Sequence, residues 1–404
     1  MSSEPFTILC FASYEKGHDF MRQAKRDGCR VFLLTSLSLK EKARWPVESI
    51  DEIFYMPDDD HAWNRGDTLK SVAYLARERR IDRIVPLDEF DQEIGAAIRA
   101  HLLLAGMDET TMRGFRDKLS MRRIAEKAGV RVPPYIGILN YSALHDFTER
   151  VPPPWVLKPR LMAGAIGIKK IESADALWSA VHSLEDQQSY YLLEKYLPGN
   201  VCHVDSILWD GEILFRIASA YGRPPMDVSH GGGVFTTSVL PRGGELEQAL
   251  LKMNGKVLAA MSHATGVSHT EFIVSRDDGE IYFLETAARV GGAHIGDLVE
   301  AASGLNLWAE WARVEQSTRE SPYKLPPVKA GYAALIVSLA REEKPDLSAY
   351  NEPEVVWRMD EPHHAGLIVA STDHDRVAAL RDQYVERIGR DFGAVLPPKT
   401  KPTS

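Results

Sequence analysis

Residues 269–285 read HTEFIVSRDDGEIYFLE, and this stretch is the most informative part of the chain. Two β-rich runs flank Asp277-Asp278-Gly279, which predicts a hairpin whose three-residue loop ends on a left-handed glycine. Counting outward from that loop places Glu271 opposite Glu285. Like charges that face each other directly destabilise a sheet. Either a cation lies between the two carboxylates, or both are solvated strand-end glutamates in another register.

A hard divalent cation is the candidate partner for the two glutamates. The Cβ atoms of directly opposed strand residues lie about 5 Å apart. Mg²⁺ takes oxygen ligands at about 2.0–2.1 Å and usually needs a substrate phosphate as well. The same register makes Arg276 face Glu280 at the turn. On this interpretation the hairpin is one wall of a magnesium and phosphate site.

Length, charge and cysteine content limit the class of protein. A chain of 404 residues with a net charge of -9 is expected to form two or three domains. The negative charge argues against a large surface for nucleic acid or anionic membranes. The sequence has no apolar run that could span a bilayer and begins without a signal-peptide pattern. Cys10, Cys29 and Cys202 lack CxxC spacing, so we expect a reducing cytoplasm and no cysteine zinc site.

The first part of the chain alternates strands and helices, which predicts a doubly wound parallel sheet. The first turn, residues 13–17, lacks the GxGxxG glycines, so a dinucleotide site is not expected there. Asp88 and Glu89 follow a predicted strand, and open α/β sheets bind ligands at that end. Solvated helix-cap acids are the favoured interpretation of this pair. The strands are predicted at 7–12, 31–35, 53–55 and 83–87.

Proline clusters divide the remainder of the chain. We predict one helix over 112–127, mainly strands from 155 to 240, and a small α+β module after residue 326. The fold class is thus α/β and α+β multidomain. The predicted domains are an N-terminal α/β domain at 1–111, a central domain at 112–325 with a lid at about 132–198, and a C-terminal α+β domain at 326–404.

Two segments before the hairpin carry groups suited to a nucleotide. Lys158 precedes a small-residue loop at 162–167, whose backbone amides and lysine could hold phosphate. A plain glycine hairpin is the alternative. Residues 192–199 run from a strand into a turn and could offer backbone hydrogen bonds to a flat heterocycle. A structural strand end is the favoured alternative.

Other polar residues admit two interpretations each. Arg289 is suited to bidentate binding of phosphate or carboxylate, or to a structural ion pair with nearby acids. His230 lies in a polar segment, 223–237, that is either a mobile loop over a site or a flexible surface loop. His203 and His269, on strand faces, are more often satisfied core histidines.

Several short motifs follow one another in a fixed order. They are Arg116-Asp117-Lys118, Val156-Leu157-Lys158-Pro159, Met162 to Gly167, Glu194-Lys195-Tyr196-Leu197, Cys202-His203-Val204-Asp205, and Glu271 with Glu285 and Arg289. As a set they resemble the ATP-grasp superfamily, in the biotin-carboxylase-like branch that includes carboxylate–amine ligases. The resemblance covers most of the chain. It implies a central ATP-grasp fold with a small lid subdomain.

The resemblance also implies roles for individual residues. ATP would bind with Mg²⁺, or with Mn²⁺ in its place. The metal ligands would be Glu271 and Glu285, and the catalytic residues Arg289 and Lys158. The nucleotide-binding residues would be Lys118, Lys158, Met162, Gly164, Ala165, Gly167, Glu194, Lys195, Tyr196, Leu197 and His203. One position departs from the pattern, since Ala287 replaces the asparagine of the E-x-N-x-R motif. Water, Thr286 or the substrate would then complete the metal site, and the number of ions stays open.

The implied activity is ATP-dependent formation of an amide or peptide bond. A small-molecule or amino-acid carboxylate would become an acyl phosphate, and an amine would displace the phosphate. The expected partners are small carboxylates and amines, and neither nucleic acid nor membrane. A homodimer has partial support, from the family alone, and the oligomeric state stays open. A carboxylase- or phosphoribosyl-type ATP-grasp enzyme that activates bicarbonate or formate is the first alternative. A non-catalytic nucleotide-binding protein, supported only by Ala287, is the second.

Overall fold

A computed structural model of the chain describes residues 4–164, 166–226, 228 and 232–394. Ala165 and His230, both singled out above, lie outside these described residues. Among the described helices, none combines the length and the hydrophobicity that crossing a lipid bilayer requires.

The N-terminal part forms the predicted parallel sheet, and its four strands lie in the order β3-β2-β1-β6. Strand β1 is buried along its whole length, which explains its unbroken apolar run. A short antiparallel pair follows β3. The elements are β1 (Thr7–Ala12), α1 (His18–Arg26), β2 (Arg30–Ser36), β3 (Glu52–Met56), β4 (Asp58–Asp59), β5 (Ala62–Trp63), α2 (Arg65–Leu75), β6 (Arg83–Pro86) and α3 (Gln92–His101), with 3-10 turns at Leu37–Leu39 and Val47–Ser49.

The strand order reverses at β1, because β2 and β3 lie on one side of it and β6 lies on the other. Ligands of open α/β sheets bind at such a point, beyond the carboxyl ends of the strands. Asp88 and Glu89 follow β6 after Leu87 and therefore lie at this end of the sheet.

The predicted single helix over 112–127 is wrong. The chain forms two helices, α4 (Glu109–Arg116) and α5 (Lys118–Lys127), which meet at Asp117 in an extended conformation. The Asp117 carboxylate accepts a hydrogen bond from the Leu119 N–H at 3.1 Å and from Arg160 Nε at 2.9 Å. An aspartate at this position caps the exposed amides of the new helix. The break places Lys118 in the first turn of α5.

A small antiparallel sheet in the order β7-β10-β8-β9 lies within residues 132–198. It has its own apolar core, which includes Trp155, Leu157 and Leu177. Its elements are β7 (Tyr135–Gly137), α6 (Tyr141–Arg150), β8 (Trp155–Pro159), β9 (Lys169–Ile171), α7 (Ala174–His182), a 3-10 segment (Glu185–Tyr190) and β10 (Tyr191–Lys195).

The central sheet is antiparallel and has eight strands in the order β15-β14-β11-β12-β13-β16-β18-β17. Strand β13 pairs with β16, so the sheet continues across residues 325/326, where we predicted a domain boundary. The division into domains stays a prediction. The elements are β11 (Gly199–Trp209), β12 (Glu212–Tyr221), β13 (Phe235–Val239), α8 (Glu245–Ala260), β14 (Gly266–Ser275), β15 (Ile281–Ala287), α9 (Ile295–Ser303), α10 (Leu307–Gln316), β16 (Tyr332–Leu339), β17 (Val355–Arg358), β18 (His364–Ser371) and α11 (His374–Asp391).

The register of the β14–β15 hairpin differs from the prediction at the turn. Ser275 N donates to the Glu280 carbonyl at 2.9 Å, so Ser275, rather than Arg276, faces Glu280. The predicted opposition of Glu271 and Glu285 is nevertheless confirmed.

A β-bulge reconciles these two observations. Phe272 pairs with Phe283 while Glu271 pairs with Glu285, which leaves Leu284 as an extra residue in β15. A bulge shifts the register by one residue and leaves the extra residue unpaired. Without it, the turn register would have placed Glu271 opposite Leu284.

Candidate active site

A cavity of about 430 Å³ lies between the small β7-β10-β8-β9 sheet and the central sheet. Gly167 and His203, although described, are not part of its wall. The predicted site residues that line the cavity are Lys118, Lys158, Met162, Gly164, Glu194, Lys195, Tyr196, Leu197, Glu271, Glu285 and Arg289.

Lys118 joins three parts of this cavity. Its Nζ lies 2.9 Å from Glu285 Oε2 and donates to the Met162 carbonyl at 2.6 Å. The ammonium therefore links helix α5, the β14–β15 hairpin and the small-residue loop that begins at Met162. It also supplies a positive charge beside the opposed glutamates, which the charge repulsion of the pair requires.

Glu271 is held as a carboxylate by two neighbours that the sequence did not suggest. Tyr221 OH donates to Glu271 Oε1 at 2.7 Å, and His269 Nε2 lies 3.5 Å from the same oxygen. Burial opposes ionisation of Glu271, but the contacts with His269 and Tyr221 outweigh it and lower its pKa. Glu271 and Glu285 together are oxygen donors of the kind that hard cations prefer, so the pair fits a Mg²⁺ or Mn²⁺ ion.

Behind Glu271 a buried polar network extends into the sheet. Asp205 contacts His203 Nδ1 at 2.7 Å and His269 Nδ1 at 2.9 Å, and His203 Nε2 contacts Thr237 Oγ1 at 2.7 Å. Burial disfavours the charged form of His269, but Asp205 and Glu271 raise its pKa to about 10. Both histidines are buried and have satisfied partners, and His269 also lines the cavity. Their ligand atoms and that of Asp205 lie within 4.8 Å of one another, but each is already engaged within the network.

Lys158 is paired with Glu194. Its Nζ lies 2.5 Å from Glu194 Oε2, and Arg122 Nε lies 2.5 Å from Glu194 Oε1. Burial opposes ionisation of Glu194, yet the charges of Arg122 and Lys158 hold its pKa below the ordinary value. Arg122 had no motif of its own in the sequence, although it lies one helical turn after Lys118.

The interpretation of Asp88 and Glu89 as solvated caps is wrong. Both side chains are buried, and Asp88 forms an ion pair with Lys16. Glu89 lies between two guanidinium groups, with Arg116 Nη1 at 2.6 Å from Oε1 and Arg289 Nε at 3.1 Å from Oε2. Burial opposes its ionisation, but Arg289 and Arg116 outweigh that effect and lower its pKa to about 2. Arg289 thus makes the ion pair considered above and also lines the cavity.

This fold recurs among known proteins, although no family model matches the chain. In sequence it is similar to the L-arginine-specific L-amino acid ligase of Bacillus subtilis, with 27% identity over 252 residues. That alignment covers 61% of this chain and 59% of the relative, so it spans about three fifths of the relative's length. In structure it is similar to the L-amino acid ligase of Bacillus licheniformis, with a TM-score of 0.75, 16% identity, and coverage of 96% and 98% of the two chains.

The chain has the ATP-grasp fold. A further ATP-grasp structure is the biotin carboxylase domain of 2-oxoglutarate carboxylase from Hydrogenobacter thermophilus, with a TM-score of 0.69 and 14% identity. The similarity covers 92% of this chain and 87% of that one, which is a dimer with MgADP, ADP and bicarbonate.

The departure from the ATP-grasp E-x-N-x-R motif has a clear structural setting. Ala287 pairs with His269 across the sheet. Thr286 Oγ1 is buried and hydrogen-bonded to Thr270 Oγ1 at 2.8 Å, so its hydroxyl is engaged in the core. The side chain of Thr286 is therefore not free to take the place of the asparagine.

A second, larger cavity of about 680 Å³ lies elsewhere in this ATP-grasp chain. Its wall includes β6, helix α10 and the segment after α8, and none of the predicted site residues. His263 lines it and is 5% exposed, with Nε2 at 3.1 Å from the Val267 carbonyl. Burial lowers the pKa of His263 to about 4.

This histidine makes stability depend on pH. Its pKa is lower in the folded chain than the unfolded value of about 6.5, so the unfolded state binds the proton more tightly. The stabilisation is fully present above about pH 6.5 and is lost as pH falls towards 4. We expect this residue to account for on the order of 3 kcal/mol of the loss in unfolding free energy.

Chemical denaturation at pH 7 and pH 4.5 measures this loss. His263→Gln should flatten the difference between the two pH values. The exposed His145→Gln is the control and should leave it unchanged. Equal pH dependence in the His263→Gln variant and the unmodified protein would contradict the assignment.

Proposed function

We propose that this protein is an ATP-dependent carboxylate–amine ligase that forms an amide or peptide bond and releases ADP and phosphate. One observation carries the proposal: a single cavity contains Lys118, Lys158 and Arg289 together with the opposed Glu271 and Glu285. Phosphoryl transfer depends mainly on positioning and on neutralising phosphate charge. Three fixed cations and a carboxylate pair for a divalent ion suit that chemistry.

The residues divide the work as follows in this proposal. Glu271 and Glu285 would hold Mg²⁺, or Mn²⁺ in its place, and the bound ion would neutralise charge on the phosphates. Lys118 and Lys158 bind phosphate oxygens, and Glu194 orients Lys158. The segment 162–167, to which Lys118 is already bonded at Met162 O, closes over the phosphates and excludes water.

The chemistry proceeds in two balanced steps. A carboxylate oxygen of the substrate attacks the γ-phosphorus, and the bond to the β,γ-bridging oxygen breaks with release of ADP. The amine nitrogen then attacks the acyl carbon, the bond between that carbon and the phosphate oxygen breaks, and phosphate leaves. The nitrogen loses a proton. Arg289, held by Glu89, binds the carboxylate and later the acyl phosphate.

Amino acids are the proposed substrates, because the relatives named above are L-amino acid ligases. A cytoplasmic location is proposed from the three free, buried cysteines. A homodimer is proposed by analogy with the dimeric biotin carboxylase domain.

Phosphate release measured over pairs of amino acids and small carboxylic acids, with mass spectrometry of the products, tests the function. We expect release only when an acid, an amine, ATP and a divalent cation are all present, and a product equal to both substrates minus water. Turnover that requires bicarbonate and no amine would favour the carboxylase alternative. Tight ATP binding without ADP release over the whole panel would favour a nucleotide-binding protein.

A further inference from the structure

Arg122 is a fully buried arginine on helix α5, and it lies outside the cavity wall. A guanidinium stays charged at any ordinary pH, so burying it is costly unless its partners compensate. Neither its Nε nor its Nη2 has a hydrogen-bond partner among the described residues, so the compensation of Nε is the charge of Glu194 alone and remains incomplete. Its burial is therefore weak evidence for a purely stabilising role.

One side of Arg122 supports the nucleotide end of the cavity. Its Nε lies 2.5 Å from Glu194 Oε1, while Lys158 holds the other oxygen of the same carboxylate. Glu194 and Lys158 both line the cavity, and Arg122 contacts them from behind. The guanidinium therefore fixes the carboxylate that in turn orients Lys158.

The other side of Arg122 supports the metal end. Its Nη1 donates to the carbonyl of Leu284, the extra residue of the β-bulge. Its guanidinium also lies 5.6 Å from the ring centroid of Phe283, the residue before it. The carbonyl of Arg131, just after the same helix, accepts a hydrogen bond from Phe283 N at 2.9 Å. Helix α5 and its end thus hold the bulge at two adjacent residues.

The bulge is what makes the two glutamates face each other. In the turn register Glu271 would lie opposite Leu284, and the bulge moves Glu285 into that place. The extra residue of a bulge is left out of the ladder, so its carbonyl takes a donor from elsewhere. Arg122 provides that donor, so one side chain supports both the nucleotide end and the metal end of the cavity.

We propose that Arg122 is a positioning residue. By binding both Glu194 and the β-bulge, it fixes the position of Lys158 relative to the Glu271–Glu285 pair. This inference rests on the proposed function. It predicts that nucleotide binding and metal activation depend on the same buried side chain. A structural role alone would lower stability without changing either constant.

Arg122→Met keeps an unbranched stem and removes the charge and the donors. We expect the KM for ATP and the half-activating Mg²⁺ concentration each to rise about tenfold. Arg122→Lys restores a positive charge for Glu194, but an ammonium lacks the planar guanidinium that reaches both Glu194 and the Leu284 carbonyl. It should return the KM for ATP to within about threefold of the unmodified protein while the Mg²⁺ requirement stays raised.

The matched control is Arg216→Met. Arg216 is exposed, donates from Nη1 to the Leu251 carbonyl at 3.1 Å, and is not part of the cavity wall. Both constants should stay within about twofold in this variant. If Arg122→Met lowers the melting temperature but leaves both constants unchanged, or changes only one of them, the inference is wrong.

Calorimetric binding of ATP with and without Mg²⁺ separates this inference from the proposed function. If Arg122→Met does not fold, the comparison of Arg122→Lys with the unmodified protein decides, through its unequal effect on the two constants. If the unmodified protein binds MgATP but turns over no substrate pair, the function fails while Arg122 remains testable by binding. If turnover is normal and the variants match the unmodified protein, only the Arg122 inference fails.

Discussion

Glu285→Gln is expected to lower Mg²⁺-dependent phosphate release by about 10³-fold, since it removes one charge of the metal pair with almost no change of shape. Glu271→Gln should have an effect of similar size. Glutamine keeps one oxygen but no negative charge, and Lys118, 2.9 Å from Glu285, would then lack its carboxylate partner. Steady-state rates as a function of free Mg²⁺ and Mn²⁺ measure the effect.

The same hairpin provides the control for this experiment. Glu280 lies at the turn, is exposed, and pairs with Arg131. Glu280→Gln alters the same kind of side chain on the same hairpin but outside the cavity, and we expect nearly unchanged rates. A Glu271→Gln or Glu285→Gln enzyme with near-normal ATP turnover would rule out the metal assignment.

Arg289→Met should lower kcat by about 10²–10³-fold while ATP affinity changes by less than about threefold. The reason is that Arg289 is proposed to bind the reacting carboxylate and acyl phosphate, whereas Lys118 and Lys158 bind ATP. Its removal also leaves Glu89 with Arg116 alone. Single-turnover rates and ATP binding, measured on the same sample, separate the two effects.

Glu89→Gln tests the support of Arg289 and should reduce kcat less than Arg289→Met, because the guanidinium itself remains. Arg313→Met is the control, since Arg313 pairs with Glu310 on helix α10 away from the cavity. Equal losses of kcat and ATP affinity in Arg289→Met would instead assign Arg289 to the nucleotide.

The sequence predicted the main elements of this fold because they rest on local patterns. The buried strands of the N-terminal sheet and the two runs of the hairpin follow from apolar periodicity. The turn register was predicted one residue away from the structure, and the Glu271–Glu285 pair was still correct because a bulge offset the error. A bulge depends on tertiary partners such as Arg122, which no local pattern reveals.

The remaining differences share one physical cause, which is contact between residues far apart in sequence. Asp117 breaks the predicted helix because it caps α5 and binds Arg160. Glu89 is buried because Arg289, distant in sequence, neutralises it. Tyr221 and His269 support Glu271 from β12 and from β14 itself. Such partners can be recognised from the sequence only once it is known which strands are neighbours, because only then do residues far apart in the chain share one face of the sheet.

The pairing of β13 with β16 bears on how the chain folds as it is synthesised. Residues 235–239 and 332–339 are neighbours in the sheet but leave the ribosome far apart in time. Until the later strand arrives, β13 presents an open edge with unpaired N–H and C=O groups, which can recruit strands of other chains. By pairing with β13, strand β16 therefore also protects the sheet that bears the Glu271–Glu285 hairpin from aggregation.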